Sequence, residues 1–507
     1  MQEERIGLFE AELFSKTAFI YLTSLGSAIL GYIVILLSLR YIGESKYGIV
    51  VFALSFSGLL SFITDLGVFR AHLKKISEGK DVGECLSVYL VFKIATGAIY
   101  AIISILISIL VLGQEGIEIQ YSVFLLIIYF TIVSLTSVAT YTHLARGDVV
   151  RSQIIAISEP ISRIIFIGIV IYYNLGTLGL ASIFPMSGLI SFFVALVLSF
   201  RLFRNVKWNF NKKLFSEYMH FAGPLILVTI VGTLFFYIDK VLIQFSSNSN
   251  QTAIYYSSQQ LLAIYTYLGP AIIVVMFPAI SKLNSIEINR DKISTLIRSS
   301  IRFLAVMTIP ITSFLVLFSS DILATFLSAS FRTGSIAFSL LSIGFGLSIL
   351  IAPFSSHILG IGDIRLYAKY NLIAFGFSLL FDFLFIPSNL FSLPLFGFGI
   401  GGAAFAFLIS QLICLTLFYW NANVKLGVSI MPIEIGKIIL LSMIAASASY
   451  LIYAYLPVGL ILIKLFCSFN VFISIFLFAS IRFNMITKQE IIIGLRVFFP
   501  IIKKHKS

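Results

Sequence analysis

The hydrophobic residues of this chain form long continuous runs, and the polar residues collect in short segments between them. Each run is about 20 residues long, the length at which an α-helix crosses the hydrocarbon core of a bilayer. The alternation of apolar and polar residues that marks transmembrane strands is not the pattern here. The chain is therefore predicted to be an all-α integral membrane protein.

Fourteen transmembrane helices are predicted from these runs and numbered in chain order. Their expected ranges are 17–39, 48–69, 86–112, 121–142, 154–173, 177–200, 221–245, 253–280, 303–319, 336–359, 372–386, 399–420, 438–456 and 459–481. The even number of helices places both termini on the same side of the membrane.

Composition agrees with this fold class and excludes a soluble one. Hydrophobic residues make up 59% of the 507 residues, charged residues make up 11%, and the mean hydropathy is +1.04. Soluble domains carry about 25% charged residues. A chain this apolar has too few polar side chains to cover a surface exposed to water.

The 35 lysines and arginines are distributed unequally between alternate loops. With both termini cytoplasmic, 28 of them fall on cytoplasmic segments, three on outside loops and four within helices. This excess follows the positive-inside rule, so we predict a multi-pass protein of the cell (cytoplasmic) membrane with cytoplasmic termini. The net charge of +13 then faces anionic membrane lipids, and no nucleic-acid partner is needed to explain it.

A polar phrase occurs twice, as HLARGDVVRSQ from His143 and as HILGIGDIRLYAK from His357. The copies follow the fourth and tenth predicted helices, a displacement of six. Because six is even, two such repeats would run parallel and form two lobes related by an axis along the membrane normal. We predict an N-terminal lobe at 1–206, a C-terminal lobe at 207–424, and two further helices with a basic tail at 425–507. Chance recurrence of ordinary loop residues is the alternative.

Several stretches carry a family resemblance. They are LRYIGESKYGIVVFALSF from Leu39, TDLGVFRAHLKK from Thr64, FAGPLILVTIVGTLFFYIDKVLI from Phe221, IYYSSQQLLAI from Ile254 and VMFPAISKL from Val275. Together they resemble the polysaccharide-flippase, or Wzx-like, branch of the multidrug/oligosaccharidyl-lipid/polysaccharide (MOP) exporter superfamily. The resemblance implies that a polyprenyl-(pyro)phosphate-linked oligosaccharide is moved across the cytoplasmic membrane for polysaccharide or glycoconjugate assembly, with no cofactor and no enzymatic step.

Ionisable side chains within the predicted helices are the candidate functional groups, since charges at membrane depth usually face a cavity or a partner. Lys93, Arg163 and Lys240 are candidates to bind the phosphate of an anionic substrate. Glu159 lies four residues before Arg163 on the same helix face and is expected to pair with it. Snorkelling to the interface or purely structural pairing is the alternative explanation.

Two membrane-depth carboxylates are candidates for a coupling proton or sodium ion, namely Asp65 on the second predicted helix and Asp239 on the seventh. A fixed ion pair is the alternative for Asp239. Asp382 and Lys464, near the outer ends of their helices, are interpreted as structural.

No nucleotide or metal site is predicted. The stretch GFGIGG at Gly397–Gly402 has G-x-G-x-x-G spacing, but it follows no strand and opens an apolar helix, so close helix packing explains its small residues better. Cys85, Cys414 and Cys467 lack metal-ligand spacing and are expected to be apolar packing residues.

Two other functions stay open. The runner-up is a cation-coupled drug or small-molecule exporter of the same superfamily; basic groups on the third and fifth predicted helices favour an anionic substrate over it. A membrane glycosyltransferase or ligase would need catalytic acids or bases on a large outside loop. The longest predicted outside loop, at 320–335, holds only Asp321 and Arg332 as charged residues.

The topology gives a testable prediction. In a cysteine-free background, Ser249→Cys should react with an impermeant thiol reagent in intact cells, because Ser249 lies on a predicted outside loop. Ser507→Cys should react only after the membrane is permeabilised. The reverse labelling would overturn the predicted orientation.

Overall fold

The computed structural model describes most of the chain. The described residues are 2–204, 209–263, 265, 273, 276, 280, 290–390, 393–428, 432–456 and 461–483.

Within those residues the chain is almost entirely helical. The helices are α1 (Gln2–Tyr41), α2 (Glu44–Leu59), α3 (Val68–Ser77), α4 (Val82–Leu112), α5 (Ile117–Ala145), α6 (Val149–Tyr172), α7 (Gly176–Arg204), α8 (Lys212–Ser246), α9 (Ser249–Leu261), α10 (Arg290–Leu317), α11 (Ser319–Phe326), α12 (Ser335–Gly360), α13 (Ile364–Phe385), α14 (Gly399–Leu426), α15 (Pro432–Tyr455) and α16 (Ile461–Arg482). Turns of 3₁₀ helix cover Ser61–Thr64 and Ala329–Gly334, and strands β1 (Asn389–Leu390) and β2 (Leu393–Pro394) pair antiparallel.

The predicted all-α membrane fold is confirmed. In the described part of the chain, 12 helices are long and apolar enough to cross a membrane, and each coincides with one of the predicted helices. The eighth predicted helix, at 253–280, begins within α9. Most of its remaining length lies outside the described residues, and so does most of the family stretch from Val275.

The second predicted helix, at 48–69, is wrong as one continuous helix. α2 gives way to the 3₁₀ turn at Ser61–Thr64, and the two parts are bent by 49°. Leu66 and Gly67 then adopt positive φ angles of 48° and 79°, which a right-handed helix does not contain. The apolar run continues through the break, so the hydrophobic pattern alone did not reveal it.

Polar contacts fix α3 against its neighbours after this break. The His72 ring lies within hydrogen-bonding distance of the Tyr218 hydroxyl (3.1 Å) and of Thr142 Oγ1 (2.9 Å). The Lys75 ammonium lies 2.8 Å from a Glu217 carboxylate oxygen. This hydrogen bond holds the pKa of the Glu217 carboxyl below its usual range.

The ninth predicted helix begins earlier than expected. α10 starts at Arg290 rather than at 303, although residues 290–302 are rich in charge. Ile293, Ile297 and Ile301 are buried at intervals of four residues, which is one apolar face of a helix. The mean hydropathy of such an amphipathic extension is low, because its polar face offsets its apolar face, so an apolar run does not reveal it.

The predicted outside loop at 320–335 is also largely helical. It contains most of α11 and the 3₁₀ turn at Ala329–Gly334. Its two charged side chains face each other, with 3.4 Å between Arg332 Nη2 and Asp321 Oδ1.

The repeated phrase forms the same turn in both places. Gly147 and Gly362 follow a helix end with φ angles of 77° and 81°, the left-handed conformation that glycine adopts without steric cost. The next residue, Asp148 or Asp363, accepts a hydrogen bond from the amide three residues on (3.3 and 3.1 Å) and so caps the next helix. The glycine ends one helix and the aspartate caps the next, which accounts for Gly-Asp in each copy. The two six-helix repeats and the lobe boundaries drawn from it stay predictions.

The chain divides into two compact units. The first comprises Met1–Leu261 and Leu379–Ala403, and the second comprises Leu262–Ser378 and Ala404–Ser507.

A hydrophobic core in the first unit joins α3, α4, α5 and α8 through Val68, Tyr89, Val138 and Tyr218. Cys85 lies in this core with no exposed surface, which agrees with its predicted role in packing.

A second core, in the second unit, joins α10, α12, α13 and α14 through Ile297, Phe354, Tyr370 and Phe418. Cys414 is buried in it, whereas Cys467 is only partly buried.

Close packing explains one of the glycines in the first turn of α14. A Cβ atom at Gly402 would lie 2.5 Å from the carbonyl oxygen of Phe385 at the end of α13, a distance that real Cβ atoms do not reach. A Cβ atom at the adjacent Gly401 would meet nothing within 4 Å. Gly402 therefore allows the backbones of α13 and α14 to approach, as small residues do between membrane helices.

These neighbouring glycines provide a matched test of the packing. Gly402→Ala should destabilise the protein by about 1–3 kcal/mol, because the added methyl forces backbone apart. Gly401→Ala should leave stability unchanged or raise it by up to about 1 kcal/mol, because alanine is the better helix former. Thermal unfolding of the two purified variants in one detergent measures the difference, and equal melting temperatures would contradict the close approach.

Candidate functional site

The break between α2 and α3 is held by Lys93 of α4. The Lys93 ammonium donates hydrogen bonds to the Thr64 carbonyl (3.1 Å) and to Asp65 Oδ1 (2.7 Å). Thr96 Oγ1 donates to the same carbonyl (3.1 Å). Carbonyls at a helix break need such partners where no water reaches them. The Lys93 side chain is 3% exposed, so the first candidate cation is buried against the first candidate coupling carboxylate.

The second charged cluster centres on Arg163 of α6. Arg163 and Glu159 form the predicted ion pair one helical turn apart. Tyr129 of α5 joins them, because its hydroxyl donates to Glu159 Oε1 and accepts from Arg163 Nη2, both at 2.8 Å. The guanidinium also lies over the ring of Phe184 in α7, 4.5 Å from its centroid.

One donor of this guanidinium remains unused. The Nε–H of Arg163 is buried and makes no hydrogen bond to any residue that the structure describes. Buried hydrogen-bond donors usually have an acceptor, so a buried donor without one is a candidate to bind a ligand. The Lys93 ammonium, by contrast, already donates to a carboxylate and to a carbonyl.

The third cluster lies on α8. Lys240 Nζ lies 3.0 Å from Asp239 Oδ1 and donates to the Phe236 carbonyl at 2.7 Å. Gln259 of α9 donates to Asp239 Oδ2 at 3.3 Å. Asp239 and Lys240 are 5% and 4% exposed, so both members of this pair are withdrawn from solvent.

Asp382 of α13 brings a second carboxylate to this cluster. It is 3% exposed and lies close enough to Asp239 and Lys240 to interact with both charges. The ring of Tyr255 packs against the same cluster, with its centroid 5.8 Å from Lys240 Nζ. Two carboxylates against one ammonium give the cluster a net charge of −1 when all three groups are ionised.

The structure thus places each candidate cation against a candidate carboxylate: Lys93 with Asp65, Arg163 with Glu159, and Lys240 with Asp239. It does not bring the six residues into one cluster. The sequence reading missed the bridging role of Tyr129, which no local signal indicates. The sequence interprets Asp382 as structural, and its proximity to Asp239 is a tertiary contact that its position in the chain does not indicate.

No metal-ligand set is found among the described residues: no group of three or more His, Cys, Asp or Glu side chains is arranged to hold an ion.

Similar solved structures show which known fold this chain has. The structure of the lipid II flippase MurJ in an inward closed conformation matches with a TM-score of 0.74 at 15% sequence identity, covering 92% of this chain and 99% of that chain. Multidrug resistance MATE family transporters of the MOP superfamily match in an inward-facing conformation (TM-score 0.62, 14% identity, 79% of this chain and 94% of that chain) and in an outward-facing one (0.52, 14%, 81% and 96%). The chain has the fold of MOP-superfamily transporters.

The protein family is shown by comparison of the sequence with family models. A family model described as "Polysaccharide biosynthesis protein" matches residues 13–284, which is more than half of the 507 residues. The chain belongs to this polysaccharide biosynthesis protein family, and the resemblance drawn from the sequence is confirmed. A comparison with curated proteins gave no match.

Proposed function

We propose that this protein is a flippase that moves a polyprenyl-(pyro)phosphate-linked oligosaccharide across the cytoplasmic membrane by alternating access. The family supports a role in polysaccharide assembly, and the fold supports transport. The unequal distribution of Lys and Arg supports cytoplasmic termini. Substrate and membrane lipids are the expected partners, and the protein carries out no chemical step on the substrate.

The unused donor of Arg163 is the observation that carries the assignment of the substrate contact. A guanidinium binds phosphate through parallel N–H donors, and here Glu159 and Tyr129 orient it while its Nε–H remains open. A phosphate that reaches this Nε–H, which is buried in the present conformation, gains a charge-assisted hydrogen bond without breaking the ion pair.

The other candidate substrate-binding residues are proposed to have supporting roles. Glu159 holds Arg163 in position. Lys93 and Lys240 contribute positive charge to the substrate's surroundings, but their ammonium groups already donate to protein acceptors. We therefore rank Arg163 first among the proposed phosphate contacts.

Coupling is proposed at Asp239, together with Asp382, rather than at Asp65. Asp65 is balanced one to one by Lys93, whereas the cluster of Asp239, Lys240 and Asp382 carries one carboxylate in excess. An uncompensated charge at this depth is costly, and one bound proton or monovalent cation would remove it. A coupling ion must favour one conformational state over the other, and we propose that the excess carboxylate is buried in one state and relieved in the other.

The cation-coupled drug exporter remains the second candidate function. The surplus carboxylate could bind the coupling cation of such an exporter, and the MATE family transporters share the fold. An anionic substrate at Arg163 and a cationic drug make opposite demands on that side chain, so substitution at Arg163 separates the two.

The substrate contact is tested by replacing Arg163. In cells that depend on this protein for glycan export, Arg163→Ala should lower export at least about tenfold, because a charge-assisted hydrogen bond to the phosphate is lost. Arg163→Lys keeps the charge but loses the planar fork, so it should retain partial export. Arg332→Ala, at an arginine that is also paired with a carboxylate, is the matched control and should export normally. Normal export by correctly inserted Arg163→Ala would reduce Arg163 to a structural role.

Coupling is tested in vesicles that contain the purified protein and a lipid-linked oligosaccharide. Parent protein should move the substrate faster when a proton or sodium gradient is imposed. Asp239→Asn and Asp382→Asn should each lose this response, because removing one carboxylate removes the excess charge. Asp321→Asn, outside the cluster, is the control. An Asp239→Asn variant that follows the gradient as well as the parent would exclude Asp239 as the coupling site.

A further inference from the structure

Asp239 and Asp382 are buried to a similar extent, but their hydrogen bonding differs. Asp239 has donors at both carboxylate oxygens. Its Oδ1 accepts from the backbone amide of Lys240 at 2.8 Å and lies 3.0 Å from the Lys240 Nζ. Its Oδ2 accepts from the same Nζ at 3.1 Å and from Gln259 at 3.3 Å. Hydrogen bonds to a carboxylate and an adjacent ammonium both favour the ionised form, so Asp239 is expected to carry its charge.

The Asp382 carboxyl group has no such donors. Its side-chain oxygens make no hydrogen bond and no ion pair with any residue in the described part of the chain, although the residue is only 3% exposed. A carboxylate that is withdrawn from water without a partner is costly in its charged form, and such a group usually becomes neutral instead. The surplus carboxylate of the cluster is therefore the one least able to remain ionised.

The groups around Asp382 include no second cation among the residues that the structure describes. The charges that act on it are those of Asp239 and Lys240 on α8. Tyr255 of α9 is a further titratable group near enough to interact with it. One ammonium balances one carboxylate, and two carboxylates that share a site do not both remain ionised. The proton is expected on Asp382, because the hydrogen bonds of this cluster all go to Asp239.

The oxygen atoms near Asp382 are poorly placed to bind a sodium ion. Sodium sites in transporters commonly use the backbone carbonyls of unwound helix segments. In the last turn of α13, the carbonyls of Asp382, Leu384 and Phe385 already accept hydrogen bonds from the amides of the following segment, at 3.1, 3.3 and 2.7 Å. The Phe236 carbonyl accepts the Lys240 ammonium at 2.7 Å. The lysine thus already occupies the position that a bound cation would take beside Asp239.

We propose that Asp382 is a proton-binding site, protonated at neutral pH in this conformation, and that it does not bind sodium. A neutral Asp382 leaves Asp239 and Lys240 as a balanced ion pair and removes the excess charge of the cluster. If this cluster couples transport, as proposed above, the coupling ion is a proton; only this consequence rests on the proposed function.

The bound proton is detected by infrared spectroscopy of the purified full-length protein in detergent. A protonated carboxyl group has a C=O stretching band that an ionised carboxylate lacks. At neutral pH, the parent spectrum should contain such a band, and Asp382→Asn should lose it, because asparagine has nearly the same shape but no carboxyl group. Asp321→Asn removes a carboxylate that is paired with Arg332 outside the cluster. It is the matched control and should keep the full band.

Replacing Lys240 should change the band in the opposite direction. In Lys240→Met the two carboxylates lose the ammonium that balances one of them, so a second proton should be taken up and the band should grow about twofold. This variant separates charge balance from packing, because a purely structural loss would not add a protonated carboxyl group.

Sodium is tested on the parent protein and needs no variant. Sodium chloride and potassium chloride at equal concentration should both leave the band unchanged. An equal band in the parent and Asp382→Asn, a band that sodium but not potassium removes, or a Lys240→Met band no larger than the parent's would each overturn the proposal. Because the spectra are recorded without substrate, failure here leaves the proposed flippase function standing, and a failure of transport leaves the proton site standing.

Discussion

The cost of placing charge inside apolar helices is the constraint on which the first unit depends. An unpaired ionised side chain at membrane depth costs at least about 2.5 kcal/mol, so the three cations deep in these helices are each packed against a carboxylate. Lys93, Arg163 and Lys240 all follow this rule. The pairing also fixes backbone geometry, because the ammonium that neutralises Asp65 holds the Thr64 carbonyl at the break between α2 and α3.

The three clusters meet this constraint to different degrees, and the differences suggest different roles. Lys93 is balanced by one carboxylate and also donates to a backbone carbonyl, which suits a structural clamp on a discontinuous helix. Arg163 is neutralised but keeps an open donor, which suits the recognition of an anion. The cluster at Asp239 carries a surplus carboxylate from Asp382, which suits reversible uptake of a proton or cation. Under the proposed function, structural pairing, substrate contact and coupling are divided among these clusters.

The sequence predicted the features that depend on spacing along the chain. Bilayer thickness sets the length of apolar runs, so the membrane helices were recovered, and the i, i+4 spacing of Glu159 and Arg163 gave their ion pair. Features that depend on tertiary contact were not recovered. The break at Leu66 and Gly67 lies inside an apolar run without a proline, and the contacts Lys93–Asp65 and Asp239–Asp382 join different helices. The repeated Gly-Asp phrase forms a helix stop followed by a helix cap in both places, and the six-helix repeat inferred from it stays a prediction.

The central claim is that this protein moves a lipid whose phosphate it recognises. It is tested most directly in vesicles that contain only the purified protein, by following the translocation of a fluorescent oligosaccharide linked to polyprenyl pyrophosphate. The account predicts that this lipid crosses the membrane, whereas the same oligosaccharide on an uncharged polyprenol does not, because Arg163 requires a phosphate. Equal movement of the charged and uncharged lipids, or movement of a cationic drug without movement of the pyrophosphate lipid, would contradict the account.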